Sequence, residues 1–159
     1  MTPELEALET CLRTTLDDIV AAVAGLSEEE LNRAPAIPMA NSCFVIATHV
    51  LGNVRAQVLG IACGLDIHRV RPEEFKARGS LTDLQASSAR LSQEMAEALA
   101  TLEPSKLDER LVPSQELWGE GVPHEQSRRE ALLHPLEHAG IHLGQILLTV
   151  DLLKQARGS

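Results

Sequence analysis

Aromatic residues are nearly missing from this chain: two Phe, one Trp and no Tyr among 159 residues. Leu, Val, Ile and Ala must therefore fill the core, and because Leu and Ala form helices readily, the deficit already favours an all-α fold. Cysteine is scarce too. Cys11, Cys43 and Cys63 are odd in number and widely spaced, with no Cys-x-x-Cys, so buried reduced thiols are expected rather than disulfides. Basic residues are outnumbered, 14 Lys and Arg against 23 Asp and Glu, for a formal charge of −9. Such a chain repels a phosphate backbone, and its densest basic run is only Arg128-Arg129. Nucleic acid is excluded as a partner, the more so because stacking aromatics are lacking. No uninterrupted apolar run looks long enough to span a bilayer, so no membrane partner is expected. The opening MTPELEALE is acidic and has no apolar centre, which argues against a secretory signal and for a cytoplasmic protein.

What the chain does contain is helical periodicity. The length suits one domain over residues 1–159. Thr2-Pro3 is a helix start, and Leu5, Leu8, Leu12, Leu16, Ile19, Val20 and Val23 recur at helical spacing up to Gly25. Ser27-Glu28-Glu29-Glu30 is a capping box that opens a short turn, stopped by Pro35 and Pro38. A second long helix is expected from a cap at Asn41 or Ser42 to Gly64, apolar over a wide arc. Residues 65–79 read as a connector. Ser80 or Thr82 caps a third helix, with Leu84, Leu91, Met95, Leu99 and Leu102 inward, and Pro104 stops it. Residues 103–125 form a long loop holding Trp118, expected as an anchor against the bundle end; long loops in compact domains often cover sites. A fourth helix runs from about Gln126 to Gln155, with Pro135 expected to mark a kink or a boundary. The resulting expectation is a four-helix bundle whose connections run either directly or by crossover.

Six histidines are unevenly placed. His68 and His124 fall in connectors, whereas His49, His134, His138 and His142 fall within apolar helices. A buried imidazole needs partners, either hydrogen-bonding groups of the core or a metal ion. In ALLHPLEHAGIHLGQI the last three are spaced by four and share one helical stripe. A pair at i and i+4 can bind one ion, and His49 is the natural third donor. Three imidazoles leave one tetrahedral position open, the pattern of a catalytic zinc site, although nickel, iron and copper also accept imidazole. His134 is expected outside the ligand set. Sites 134 and 142 are about 12 Å apart along the axis, too far for both to reach one ion with bonds near 2 Å. Asn53, one turn beyond His49, and Gln145, beside His142, are candidates for orienting the ligands, as is His134. Cys43 is off the face of His49, and Cys63 lies about 21 Å along the helix, so neither is expected to bind the ion. Gly140 and Gly144 suit a close approach, inside the bundle or in a dimer seam.

Two blocks carry a family resemblance. RAPAIPMANSCFVIATHVLGNVRAQVLG resembles the second helix, and LLHPLEHAGIHLGQILLTVDLL the His-x-x-x-His-x-Gly-Gln fourth helix, of the DinB/YfiT-like metalloenzyme superfamily; order and spacing match over nearly the whole chain. The resemblance implies a four-helix bundle, usually dimeric, binding zinc or nickel through His49, His138 and His142. It departs at Leu143, where members often carry Arg. Characterised relatives include transferases for low-molecular-weight thiols, which implies a divalent-metal-dependent S-transferase acting on a small-molecule thiol and an electrophile. A metal-dependent hydrolase and a non-enzymatic helical interaction module are the alternatives. The hydrolase lacks an evident base, since Glu137 points roughly 100° away from His138. The wide apolar arcs of helices two and four independently suggest a homodimer.

Overall fold

The structure, a computed structural model, describes residues 1–157. Helix α1 spans Pro3–Val23, with the Thr2 side chain accepting from the Leu5 N–H. The Ser27–Glu30 capping box forms and opens the one-turn α2, Glu28–Leu31. Ser42, not Asn41, caps α3, Cys43–Val54, and Ser80 caps α5, Leu81–Thr101, through a capping box with Asp83. Ser127 caps α7, Arg128–Gln155, with Glu130 completing its box. Each of these caps occupies orphan N–H groups that a helix start would otherwise leave bare. Pro135 is buried inside α7, and the helix runs through it; no boundary falls there.

The four long helices form a ring in which α1 packs on α7 and α5, and α3 packs on the same two. Helices α1 and α3 are thus diagonal, as are α5 and α7, which decides the connectivity that the sequence left open. The two long connectors, 24–42 and 102–127, join diagonal helices, while the shorter 63–80 segment joins neighbours. The core between them is aliphatic: Leu12, Leu16, Val50, Val54, Leu91, Met95, Leu132 and Ile146 are almost fully buried.

Three elements differ from sequence expectation. The second helix does not stay α-helical; Arg55–Ala62 is a π-helix, closed by a bond from Cys63 N–H to Val58 C=O at 2.9 Å. Its i to i+5 bonding is rare and turns the chain less per residue than an α-helix. The 65–79 segment contains the one-turn α4, Arg71–Glu74, and buries Arg69 and Glu74, so it is more than a connector. The 103–125 loop carries a 3-10 turn at Pro104–Lys106, strand β1 at Arg110–Leu111 and helix α6 at Gln115–Trp118; β1 pairs antiparallel with β2, Gln126–Ser127.

Burial also departs in places. Cys11 is exposed, because it lies off the apolar stripe of α1, while Cys43 is buried and Cys63 half-buried; all three are free thiols. Burial pushes the Cys43 and Cys63 thiols up to about 11, which leaves them unreactive. On α7, Leu133, Ile141 and Leu147 are exposed, part of the wide apolar arc expected there. The continuous helix Cys43–Ala62 does reach membrane-spanning length, with mean hydropathy 1.3, against the sequence expectation; 72% of that window is buried within the protein, as befits a core helix.

The C-terminal end of α7 is tied to α2 by Arg157, which donates to both carboxylate oxygens of Glu30 at 2.5 and 2.6 Å. That pairing, with the Ser27 N–H bond, holds the Glu30 carboxyl down at about 2. A depressed carboxyl stabilises the fold above its ordinary value near 4.5, and that contribution disappears as pH falls towards 2. Urea midpoints should therefore drop on acidification through this window, and Glu30→Gln should flatten the drop; equal slopes for both proteins would refute the assignment.

Candidate metal centre

Helices α3 and α7 face each other, and each brings histidines to the contact. His49 sits mid-way along α3 and is 8% exposed. His138 and His142, one turn apart on α7, lie opposite it. The ring nitrogens that the three residues offer lie within 4.8 Å of one another, and Nε2 of His49 is 3.2 Å from Nε2 of His138. Ligand nitrogens about 2.0–2.1 Å from a tetrahedral zinc would be about 3.3–3.4 Å apart, so this pair already stands at a ligand spacing.

The outer nitrogens of two rings are held. His49 donates from Nδ1 to Glu74 Oε2 at 2.8 Å, which leaves Nε2 as the lone-pair nitrogen facing His138. His142 donates from Nδ1 to Gln145 Oε1 at 2.8 Å, which leaves its Nε2 free likewise. Such outer partners set tautomer and ring orientation in metal sites. His138 lacks one: its Nδ1 is enclosed and has no partner. Burial, with the neighbouring His142 and His49, pushes the His138 imidazole down to about 3, and burial also lowers His142. Neutral imidazoles with converging lone pairs are the form in which histidine binds a metal, so these residues fit a divalent ion.

Glu74 was not legible in the sequence as a site residue. It is reached because α4 folds under the bundle, where Arg69 grips the carboxylate at 2.7 and 3.0 Å from Nε and Nη2. Burial alone would raise the Glu74 carboxyl, but the bonds from His49 and Arg69 outweigh it and hold the group below its usual range. Space for it comes from Gly52: a Cβ there would lie 2.1 Å from Glu74 Oε1. The sequence signal was available in part, since Gly52 lies one turn from His49 on a helix with no other need of glycine.

The other candidates separate cleanly. Gln145 meets His142 directly, its Oε1 2.8 Å from His142 Nδ1. Asn53 makes no hydrogen bond to the three histidines of the cluster; its Nδ2 lies 3.5 Å from His134 Nε2, and its Oδ1 is enclosed without a partner. His134 stands beside His138, with ring centroids 5.6 Å apart, and lies outside the cluster of converging nitrogens. Cys43 and Cys63 are likewise outside it. Beside the cluster runs a cleft of about 220 Å³, walled by His49, Asn53 and Gln57 on one side and His134 and His138 on the other. Trp118 lines it, half-buried and packed on His124 at 4.4 Å between ring centroids, so it is part of the cleft wall and not merely an anchor.

The profile of the DinB superfamily matches residues 12–146, and the chain belongs to that superfamily. That match takes in α3 and α5 whole, parts of α1 and α7, and every residue of the histidine cluster. No curated protein matches the chain.

Proposed function

We propose that this protein is a metal-dependent enzyme that holds zinc or nickel on His49, His138 and His142 and transfers a low-molecular-weight thiol to an electrophile. One observation carries the reading: three imidazole nitrogens within 4.8 Å of one another, at the wall of a cleft large enough for a small molecule. A divalent ion there would supply Lewis acidity and favour the thiolate form of a sulfur ligand. The chain's own residues hold and orient the ligands, through Glu74 and Gln145, and wall the cleft with Trp118. Hydrolysis is less well supported. It calls for a base at the cleft, and the one buried carboxylate beside the cluster, Glu74, is already engaged by His49 and Arg69. A purely structural role for the histidines accounts less well for three imidazoles whose nitrogens converge within 4.8 Å of one another. Free thiols are consistent with a cytoplasmic setting. Elemental analysis of untagged protein, followed by turnover of a generic electrophile with and without added thiol, tests the reading. Metal without thiol dependence would favour hydrolysis, and no metal after reconstitution would favour an interaction module.

The same reading includes a homodimer. The outer face of α7 exposes Leu133, Ile141, Leu147 and Leu148, and a Cβ at Gly140 or Gly144 would meet nothing within 4 Å. The glycines therefore serve no internal approach, and the face, largely apolar but for the exposed Glu137 and Asp151, suits the matching face of a second copy. Sedimentation at micromolar concentration should give a dimer for the wild type and a monomer for Ile141→Glu. A wild-type monomer would refute it.

A further inference from the structure

Past the histidines, the cleft is floored by neutral amides. His49, Asn53 and Gln57 follow one another at intervals of four along one helix, and Gln126 from β2 closes the row. Asn53 is 6% exposed, Gln57 4% and Gln126 8%. Burying three carboxamides is costly unless they find partners. Their mutual bonding is incomplete. Gln126 Nε2 donates to Gln57 Oε1 at 3.4 Å, and among the described residues Gln57 Nε2 and Gln126 Oε1 have no partner. Asn53 Oδ1 has none either. Gln57 thus brings a free donor, and Gln126 and Asn53 each a free acceptor, to residues that line one cleft.

The π-helix helps to produce this arrangement. A residue four beyond Asn53 on an ideal α-helix drifts about 40° round the axis, and eight beyond His49 about 80°. Reduced winding over Arg55–Ala62 lessens that drift and keeps Gln57 over the cleft. Single π-turns are common at functional sites; here the deformation covers eight residues and contains one of the amides.

Charge narrows the occupant further. Two guanidinium groups line the cleft, and both are already matched. Arg69 holds Glu74, and Arg71 Nη2 meets Glu120 at 2.8 Å. A carboxylate or phosphate entering the cleft would find no unpaired cation there, whereas a carboxamide presents one donor and one acceptor to the unpartnered amide atoms.

We infer that the cleft beside the histidine cluster is a recognition site for a neutral amide group, seated on Gln57 and Gln126 with Asn53 beside it. The ligand class is a small molecule with a metal-binding atom at one end and a carboxamide beyond it, Asn53 lying roughly 6 Å along the helix from His49. This rests on the metal reading for the first end of the ligand only; the amide seat stands on its own contacts.

Trp118, the sole tryptophan, lines the cleft and supplies the readout. In zinc-loaded protein, quenching of its emission should show N-acetylcysteamine binding about tenfold tighter than 3-mercaptopropionate or 2-mercaptoethanol, the gain of two neutral hydrogen bonds. Gln57→Leu and, separately, Gln126→Met should each remove most of that preference while zinc stoichiometry stays unchanged. In metal-free protein, N-methylacetamide should perturb the emission at millimolar concentration, and Gln57→Leu should abolish the response. Equal or tighter binding of 3-mercaptopropionate by the wild type, or an amide preference that survives in both variants, overturns the inference. If zinc fails to bind yet the amide response persists, the amide seat stands and the metal reading falls. If zinc binds and no probe with an amide is favoured, the reverse holds.

Discussion

Alanine at His138 or at His142 should take bound metal from about one ion per chain to nearly none, whereas alanine at His134 should leave it in place. All three lie on one stripe of α7, so the sequence pattern alone makes them look equivalent. The structure does not. His138 and His142 join His49 in a group whose ring nitrogens lie within 4.8 Å of each other, and His134 is not in it. Its Nε2 is instead 3.5 Å from the Asn53 amide. Each of the three would supply one ligand, and losing one leaves two imidazoles, too few to hold a divalent ion against buffer and water. His49→Ala should behave like His138→Ala. Titrating zinc or nickel into the four variants side by side checks this. Loss of metal in His134→Ala with retention in His142→Ala would move the site one turn towards the start of α7.

The comparison of these histidines also shows what a sequence can and cannot reveal. Spacing by four places residues on one face, and that was enough to pair His138 with His142 and to leave His134 out on distance along the axis. Helix starts were equally legible, because capping is local chemistry: Ser27, Ser80 and Ser127 each bind an N–H within three residues. The family match over residues 12–146 bears out the all-α, DinB-like assignment. What escaped were features fixed by contacts distant in sequence. Glu74 meets His49 across 25 residues, and its segment carries no long periodicity to announce burial. The π-helix at Arg55–Ala62 has no local signature either, since its residues would serve an ordinary α-helix. Nor can periodicity tell which part of the wide apolar arc of α7 is buried and which faces solvent; Ile141 is 64% exposed.

Glu74→Ala should damage the protein in two separable ways. The first is stability. Arg69 has a side chain only 5% exposed and pairs with Glu74, so removing the carboxylate strands a buried cation at a cost of about 3–5 kcal/mol. The second is metal affinity. Without an acceptor on Nδ1, His49 loses the contact that fixes its tautomer and ring plane, and loss of such a partner costs about 10–100-fold in affinity. The two effects can be pulled apart. Glu74→Gln combined with Arg69→Met removes both charges and keeps a side-chain carbonyl that can accept from His49. That double variant should recover most of the stability and much of the affinity. Gly52→Ala approaches from the other side. Its Cβ would fall 2.1 Å from Glu74 Oε1, so the carboxylate must move although no ligand has changed, and affinity should fall again. Cobalt-substituted protein gives the spectroscopic test, because a ligand-field band responds to the orientation of His49 and not to global stability. If Glu74→Ala destabilises the fold but leaves both the cobalt spectrum and the affinity as they were, Glu74 is a structural ion pair to Arg69 and takes no part in positioning His49.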